Sequence, residues 1–273
     1  MSSAGSAPTP KDETPNVARM YDYLLGGREN YAADRQTVEH LLKMAPSTRM
    51  LAVNNRRFLR RAVRYAAEEA GVRQFLDLGS GLPAEDNVHQ VAQRADPASR
   101  VVYVDNDPVV LAHGRALLVD GTRTAVIQAD LRRPCEVLDH PEVGRLIDFS
   151  LPAAALFVSV LHCVPDADDP GALMRRVVER LVPGSLVIFS HVVAADARTR
   201  RRLTEFVVAA TGGNWGRVRA PEEIAPWFDG LEWVDPGLVE VSTWRPDAGD
   251  VTQETDEWIE LGGVARVSER SDS

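Results

Sequence analysis

The stretch QFLDLGSGLP, residues 74–83, sets the reading of the whole chain. It opens as a short apolar run broken by Asp77, the pattern of a buried strand, and ends at once in Gly79-Ser80-Gly81. Glycine has no Cβ, so the backbone can turn sharply there and come close to a ligand. A helix that follows adds exposed N–H donors at its N-terminus. Gly79-x-Gly81-x-x-Ala84 also satisfies the spacing of dinucleotide-binding turns, which alone is a weak signal. In an open α/β sheet, ligands lie at the carboxyl ends of strands, where this turn falls.

Outward from this stretch, strands and helices alternate. RVVYVD (100–105), TAVIQAD (124–130), AAALFVSVL (153–161) and SLVIFSH (185–191) read as further strands. Helices are expected around Asp86–Arg94, from Asp107-Pro108 onward with Asp as cap, and from Pro170 to Leu181 before Pro183-Gly184. That alternation predicts an α/β fold, a mostly parallel sheet with helices on both faces. Near the C-terminus, LEWVDPGLVEVSTWRP (231–246) and ELGGVARVSE (260–269) are strand-like with no useful helix between them, which predicts an antiparallel pair closing the sheet. Residues from about Val17 to Ala70 read as helical, interrupted at Pro46 and stopped by Gly71. The expected division is a disordered tail over 1–14, an N-terminal helical cap or lid over 15–70, and one α/β domain over 71–268.

Composition narrows the function. With 273 residues, 44% hydrophobic and 26% charged, the chain has the balance of a globular protein with a full core. No apolar run approaches the roughly 20 residues that span a bilayer. The opening MSSAGSAPTPKDETP lacks a basic start and apolar centre, so it reads as a tail, not a secretory signal. Two cysteines, Cys135 and Cys163, are too few for a disulfide framework or a cysteine-built zinc site, and a reducing cytoplasm fits. A net charge of −9 disfavours nucleic acid as the main partner. The basic clusters at Arg56–Arg64 and Arg198–Arg202 alternate with apolar residues at helical spacing and read as solvated helix faces.

Three acids stand at three consecutive strand ends: Asp77, Asp105 and Asp130. A carboxylate at the end of the second strand can accept both hydroxyls of an adenosine ribose. Asp130, flanked by Ala129 and Leu131, can accept from an adenine amine while the neighbouring backbone meets the ring edge. Each acid alone could equally be a cap or turn former.

These segments resemble the class I S-adenosylmethionine-dependent methyltransferases. More closely, the chain is similar to an actinobacterial methyltransferase family formerly catalogued as a domain of unknown function. YDYLLGGRENYAADR (21–35), NRRFLRRAVRY (55–65), QFLDLGSGLP (74–83) and VVYVDNDPVVLAHGRALL (101–118) carry the likeness, extended by VLHCVPDADDP (160–170), LVPGSLVIFSH (181–191) and GGVAR (262–266). Pro83 departs from the broader superfamily, where a third glycine is common; a proline at a helix start is acceptable. The resemblance implies a Rossmann-like, seven-stranded sheet with an antiparallel last strand, and S-adenosyl-L-methionine as donor, leaving S-adenosyl-L-homocysteine. By position it implies Gly79, Ser80 and Gly81 beside the methionine and ribose, Asp77 near the ammonium and Asp105 on the ribose. Asn106, Asp130 and Leu131 would lie at the adenine.

Methyl transfer from a sulfonium is an in-line displacement, helped chiefly by alignment. A base is needed only if the acceptor must lose a proton; His162 and His191, after the fourth and fifth strands, are the candidates. LHCVPD follows the fourth strand in place of the Asn/Asp-Pro-Pro-Tyr/Phe motif of adenine and amide methyltransferases, so the expected acceptor is a small molecule methylated on oxygen or nitrogen. Two alternatives stay open at this point: a nicotinamide-dependent oxidoreductase, which shares the glycine turn, and a non-catalytic cofactor-binding sensor. No metal cluster is apparent. The stretch YDYLLGGREN (21–30) reads as a helix stopped by Gly26-Gly27 and, by the resemblance, as part of a lid. Arg28 is a candidate cation for the cofactor's carboxylate, with Arg56 as its competitor, and Tyr21 or Tyr23 would line the acceptor side.

Overall fold

The computed structural model describes residues 14–119, 121–248, 250, 252 and 257–269. The tail expected over 1–14 lies, except for Thr14, outside the described residues. Three helices come first: α1 (Val17–Leu24), α2 (Ala32–Met44) and α3 (Thr48–Glu68). Asn16 caps α1 by accepting from Arg19 N, and Gly26, at φ +82°, turns the chain away from it. Pro46 falls between α2 and α3, and Gly71, at φ +72°, follows α3 as expected.

The alternating part comprises β1 (Gln74–Leu78), α4 (Val88–Ala95), β2 (Arg100–Asp105), α5 (Pro108–Leu117), β3 (Thr124–Gln128), α6 (Pro134–Leu138), α7 (Pro141–Leu146), β4 (Ala154–Val158), α8 (Pro170–Val178) and β5 (Leu186–Val193). The chain ends through α9 (Ala197–Ala210), α10 (Pro221–Ile224), β6 (Leu231–Trp233), β7 (Val239–Glu240) and β8 (Ile259–Val267). The sheet runs β3-β2-β1-β4-β5-β8-β6, with β7 also on β8. The first five strands are mutually parallel and β8 is antiparallel to β5.

The α/β architecture and the antiparallel close agree with the sequence reading. The strand count among the described residues differs, eight in place of seven, because the expected run 231–246 divides into β6 and β7 around Pro236-Gly237. Proline has no N–H for the ladder, so the run cannot pair continuously. Trp244, expected in that strand, instead fills the core beside Phe58, at 5.5 Å between ring centres.

Side chains leave each strand alternately toward two layers. Leu76, Leu78, Phe157 and Phe189 pack toward Met174 and Val177 of α8. Phe75, Tyr103, Leu156 and Ile188 pack toward Phe58, Ala62 and Ala66 of α3. Asp77 therefore leaves β1 on the α3 side. The Arg56–Arg64 cluster is not wholly solvated: Arg61 is 2% exposed and donates to the Val241 and Trp244 carbonyls while pairing with Asp250. The segment after β7 covers that part of α3, which sequence periodicity cannot register.

Candidate functional site

The site is built where β1, β2 and β3 end side by side. Gly79 N and Ser80 N both donate to the Val104 carbonyl, so the glycine turn is pinned to the neighbouring strand. Gly79 has φ +78°, and a Cβ there would lie 2.2 Å from a Val160 methyl group in the turn after β4. Gly81, at φ +65°, has open space where its Cβ would be. Its N–H donates to Asp105 Oδ2 at 2.9 Å, and Asp105 Oδ1 accepts from Asp107 N at 3.0 Å. Ala129 N donates to the Asp105 carbonyl, which carries the arc on to Asp130 and Leu131. Asn106 is exposed at the same edge, its carbonyl taking Gln128 Nε2.

Burial governs the electrostatics of this arc. Asp77 is 6% exposed, and burial, opposed by Arg56 and reinforced by Asp105, pushes its carboxyl up to about 7. Burial also raises Asp105, offset in part by the backbone N–H groups of Asp107 and Gly81. Asp130 is different: its paired contact with the Arg132 guanidinium holds it below the usual range.

Around Pro83 the structure corrects the reading. The helix begins only at Val88, so Pro83 lies inside a loop and not at a helix start. Asn87 sets that boundary, its N–H bonded to Gln90 Oε1 and its side chain to Ala84. The helix N-terminus is thus set back from the glycines, and the turn's own N–H groups are the nearer donors.

The first helices reach this edge. Asn16 Nδ2 donates to Asp107 Oδ2 at 2.5 Å, and Glu29 approaches His113 of α5 at 3.6 Å. Asp34, fully buried, organises the segment by accepting from Asn16 N, Arg19 Nε and Tyr31 N. In the turn after α1, Asp22 accepts from Glu29 N and Asn30 Nδ2. Arg28 is exposed there, and among the described residues no hydrogen bond or ion pair ties it to the arc. Arg56 does reach the glycine loop, donating to the Glu85 carbonyl at 2.8 Å. Tyr23 does not join the arc: its hydroxyl bonds Glu39 of α2 and its ring lies under Arg49. Tyr21 is half-buried against α3, its oxygen accepting from Asn55 Nδ2 and its hydroxyl donating to the Ala52 carbonyl.

Comparison with known proteins agrees with this geometry. Residues 6–268 match the sequence model of the S-adenosyl methyltransferase family. The chain belongs to that family. It is 37% identical to a DUF574 family protein from Streptomyces avermitilis, over 93% of this chain and 98% of that one, with a TM-score of 0.85. It is 40% identical to a candidate methyltransferase from Thermobifida fusca, over 94% and 97% of the two chains, with a TM-score of 0.81. No curated protein matches. The cofactor of the methyltransferase is accordingly S-adenosyl-L-methionine, and the oxidoreductase alternative falls. Among the described residues, no helix of the methyltransferase is long and apolar enough to cross a membrane.

The two histidines singled out from sequence lie together, their rings 5.4 Å apart, but neither is placed as an effective base. His191 is inside β5, fully buried. Its Nδ1–H donates to the Val192 carbonyl and its Nε2 accepts from Arg219, so both nitrogens are spent. His162 packs on Trp215 at 4.7 Å, and burial with Arg219 nearby brings its pKa down to about 3. It stays neutral and weakly basic. Cys163, in the same turn, is pushed up to about 12 by burial and is no nucleophile.

The residue missed by sequence reading is Glu260 of β8. It is 0% exposed, and burial raises its carboxyl to about 8. The signal was present, a single acid two residues before Gly262-Gly263 in an apolar strand, but nothing in the sequence said that both sides of β8 were covered. The unfolded chain releases this proton near 4.5 and the folded chain near 8, so stability falls as pH rises between those values. Relative to the parent, a Glu260→Gln chain is expected to gain about 4 kcal/mol between pH 5 and 9. Urea unfolding at both pH values measures this; a difference that does not change with pH would show a solvated carboxylate.

Proposed function

We infer that the methyltransferase transfers the methyl group of S-adenosyl-L-methionine to an oxygen or nitrogen of a small molecule, with the donor held along the β1–β3 edge. The observation that carries this reading is the pair of buried carboxylates, Asp77 and Asp105, flanking the Gly79–Gly81 turn. Among the described residues no hydrogen-bond donor reaches the Asp77 carboxyl, which suits an ammonium. Each Asp105 oxygen accepts one backbone N–H, which leaves lone pairs for ribose hydroxyls. Gly81 leaves open space beside the turn, while Asn106, Asp130 and Leu131 continue toward the adenine end. Arg56, with donors left over and a foothold on Glu85, suits the cofactor's carboxylate better than Arg28.

The bound cofactor supplies an activated methyl group on a positive sulfur. The protein's part is to orient donor and acceptor and to exclude water. The net charge of −9 and the LHCVPD turn after β4 favour a small acceptor over a nucleic acid.

Titration calorimetry with S-adenosylmethionine, S-adenosylhomocysteine and NAD tests the site. Asp105→Ala is expected to cost about 1.5–3 kcal/mol of affinity for the two sulfur compounds, the scale of hydrogen bonds to a charged acceptor. Undiminished binding would reduce Asp105 to a turn residue.

A further inference from the structure

Glu260 stands opposite Val192 of β5, so its side chain leaves the sheet on the α3 side together with that of Ser190. Solvent does not reach it, and neither carboxylate oxygen has a donor in hydrogen-bonding geometry. The polar groups beside it account for this. The Tyr21 hydroxyl donates to the Ala52 carbonyl, Asn55 Nδ2 donates to the Tyr21 oxygen, and Ser190 gives its one hydroxyl proton to Asn55 Oδ1 at 2.7 Å. Ser190 also lies close enough to Glu260 to lower its carboxyl, but its hydroxyl proton is directed to Asn55.

Ser159 is the exception. Its backbone N–H goes to Ser190 O and Oγ, and its hydroxyl is not committed to any other group among the described residues than Glu260. That side chain lies close enough to Glu260 to offset part of the effect of burial. Ser159 is held at φ +54°, a strained conformation for a residue with a Cβ, directly after β4. The next residue, Val160, is the one that packs on Gly79. Ser159 thus adjoins the residue that packs on the glycine turn and lies near the buried carboxyl. On the far flank, the Cys163 thiol is raised by burial and by both Asp105 and Glu260. The other titratable groups near Glu260 are Tyr21 from α1 and Glu240 from β7, with Arg56 of α3 acting on Tyr21.

We propose that Glu260 is the terminal proton acceptor of the methyl transfer, with the Ser159 hydroxyl as relay, and that the group methylated is a hydroxyl. This rests on the cofactor site proposed above. As the acceptor oxygen bonds to the methyl carbon, the carbon–sulfur bond breaks and its electron pair stays on sulfur. The acceptor's proton passes to Ser159 Oγ, the Ser159 proton passes to the Glu260 carboxylate, and a neutral carboxylic acid remains. A neutral amine carries its own lone pair and needs no such base; an alcohol or phenol does. A positive sulfur nearby favours the carboxylate, so Glu260 becomes a competent base when the methyl donor is bound and not when the spent thioether is.

The test needs no acceptor. The full chain, labelled with ¹³C at the glutamate carboxyl, is titrated by NMR alone, with S-adenosylmethionine and with S-adenosylhomocysteine. Calorimetry on the same samples reports binding. Glu260→Gln assigns the resonance, or Glu260→Asp if the glutamine chain does not fold. Glu260 is expected to titrate near 8 in the free protein. It should fall by about one pH unit with the sulfonium compound, the effect of one charge at roughly 10 Å in a protein-like dielectric. The thioether should leave it in place, and Ser159→Ala should raise it further.

Binding of both compounds with no difference in titration overturns the proposal while leaving the cofactor site intact. Failure of S-adenosylmethionine to bind removes the cofactor site and the proposal with it. A titration unaltered by Ser159→Ala removes the relay.

Discussion

Replacing Gly79 by alanine is expected to destabilise the protein by about 2–5 kcal/mol and to weaken S-adenosylmethionine binding. Two effects add. The residue sits at φ +78°, where a Cβ costs about 1–2 kcal/mol. That Cβ would also stand 2.2 Å from a Val160 methyl group, so the turn after β4 must move, at the cost of about 1–3 kcal/mol typical of overpacking. Gly81→Ala is the internal control. Its φ is +65°, but its Cβ would meet no atom within 4 Å, so only the backbone strain applies to folding. Urea unfolding and calorimetry on the two variants separate the effects. Equal stability would mean that Val160 yields freely and the close approach constrains nothing.

The second large effect is expected from Asp34→Ala. Asp34 is fully buried and accepts from Asn16 N, Arg19 Nε and Tyr31 N, all within 2.8 Å. Its loss leaves the Arg19 guanidinium, 6% exposed, without its counter-ion, a penalty of about 3–5 kcal/mol. The damage should stay local. Met20 and Leu24 of α1 pack with Val38 of α2 and Ala52 of α3 in a small cluster apart from the two sheet layers, while Leu41 of α2 joins Leu203 and Val207 of α9 and Val192 at the end of β5. Hydrogen exchange should therefore show α1 and α2 losing protection while β1, β4 and β5 keep theirs. Because Asn16 would no longer be held on Asp107, cofactor affinity should fall about 10-fold or more, the scale of a bond to a charged group. A melted α1–α2 segment with unchanged affinity would show that these helices are no lid.

The central sheet was legible because strands buried on both faces read as continuous apolar runs, and capping and turn residues such as Asp107, Pro108, Gly71 and Pro46 punctuate them locally. The arc of Gly79, Ser80, Gly81 and the acids at strand ends was legible for the same reason: in a parallel sheet, consecutive strand ends fall side by side. Tyr23 and Arg28 were less so. A residue in a cap helix is assigned to one side or the other by the packing of α1 against α2 and α3, and a Tyr23–Glu39 hydrogen bond leaves no mark in the sequence.

Sequence alone determined the α/β class, the antiparallel close, the glycine turn and the order of its acids, because each depends on patterns a few residues long. Tertiary structure decided which polar groups are buried together. His191 lost its role because Arg219, 28 residues away, occupies its Nε2. Glu260 is shifted because burial in β8 brings it beside Ser190 of β5, Ser159 after β4 and Tyr21 of α1. Burial and partner choice are set by contacts distant in the chain, and these convert an ordinary acid or histidine into a shifted one.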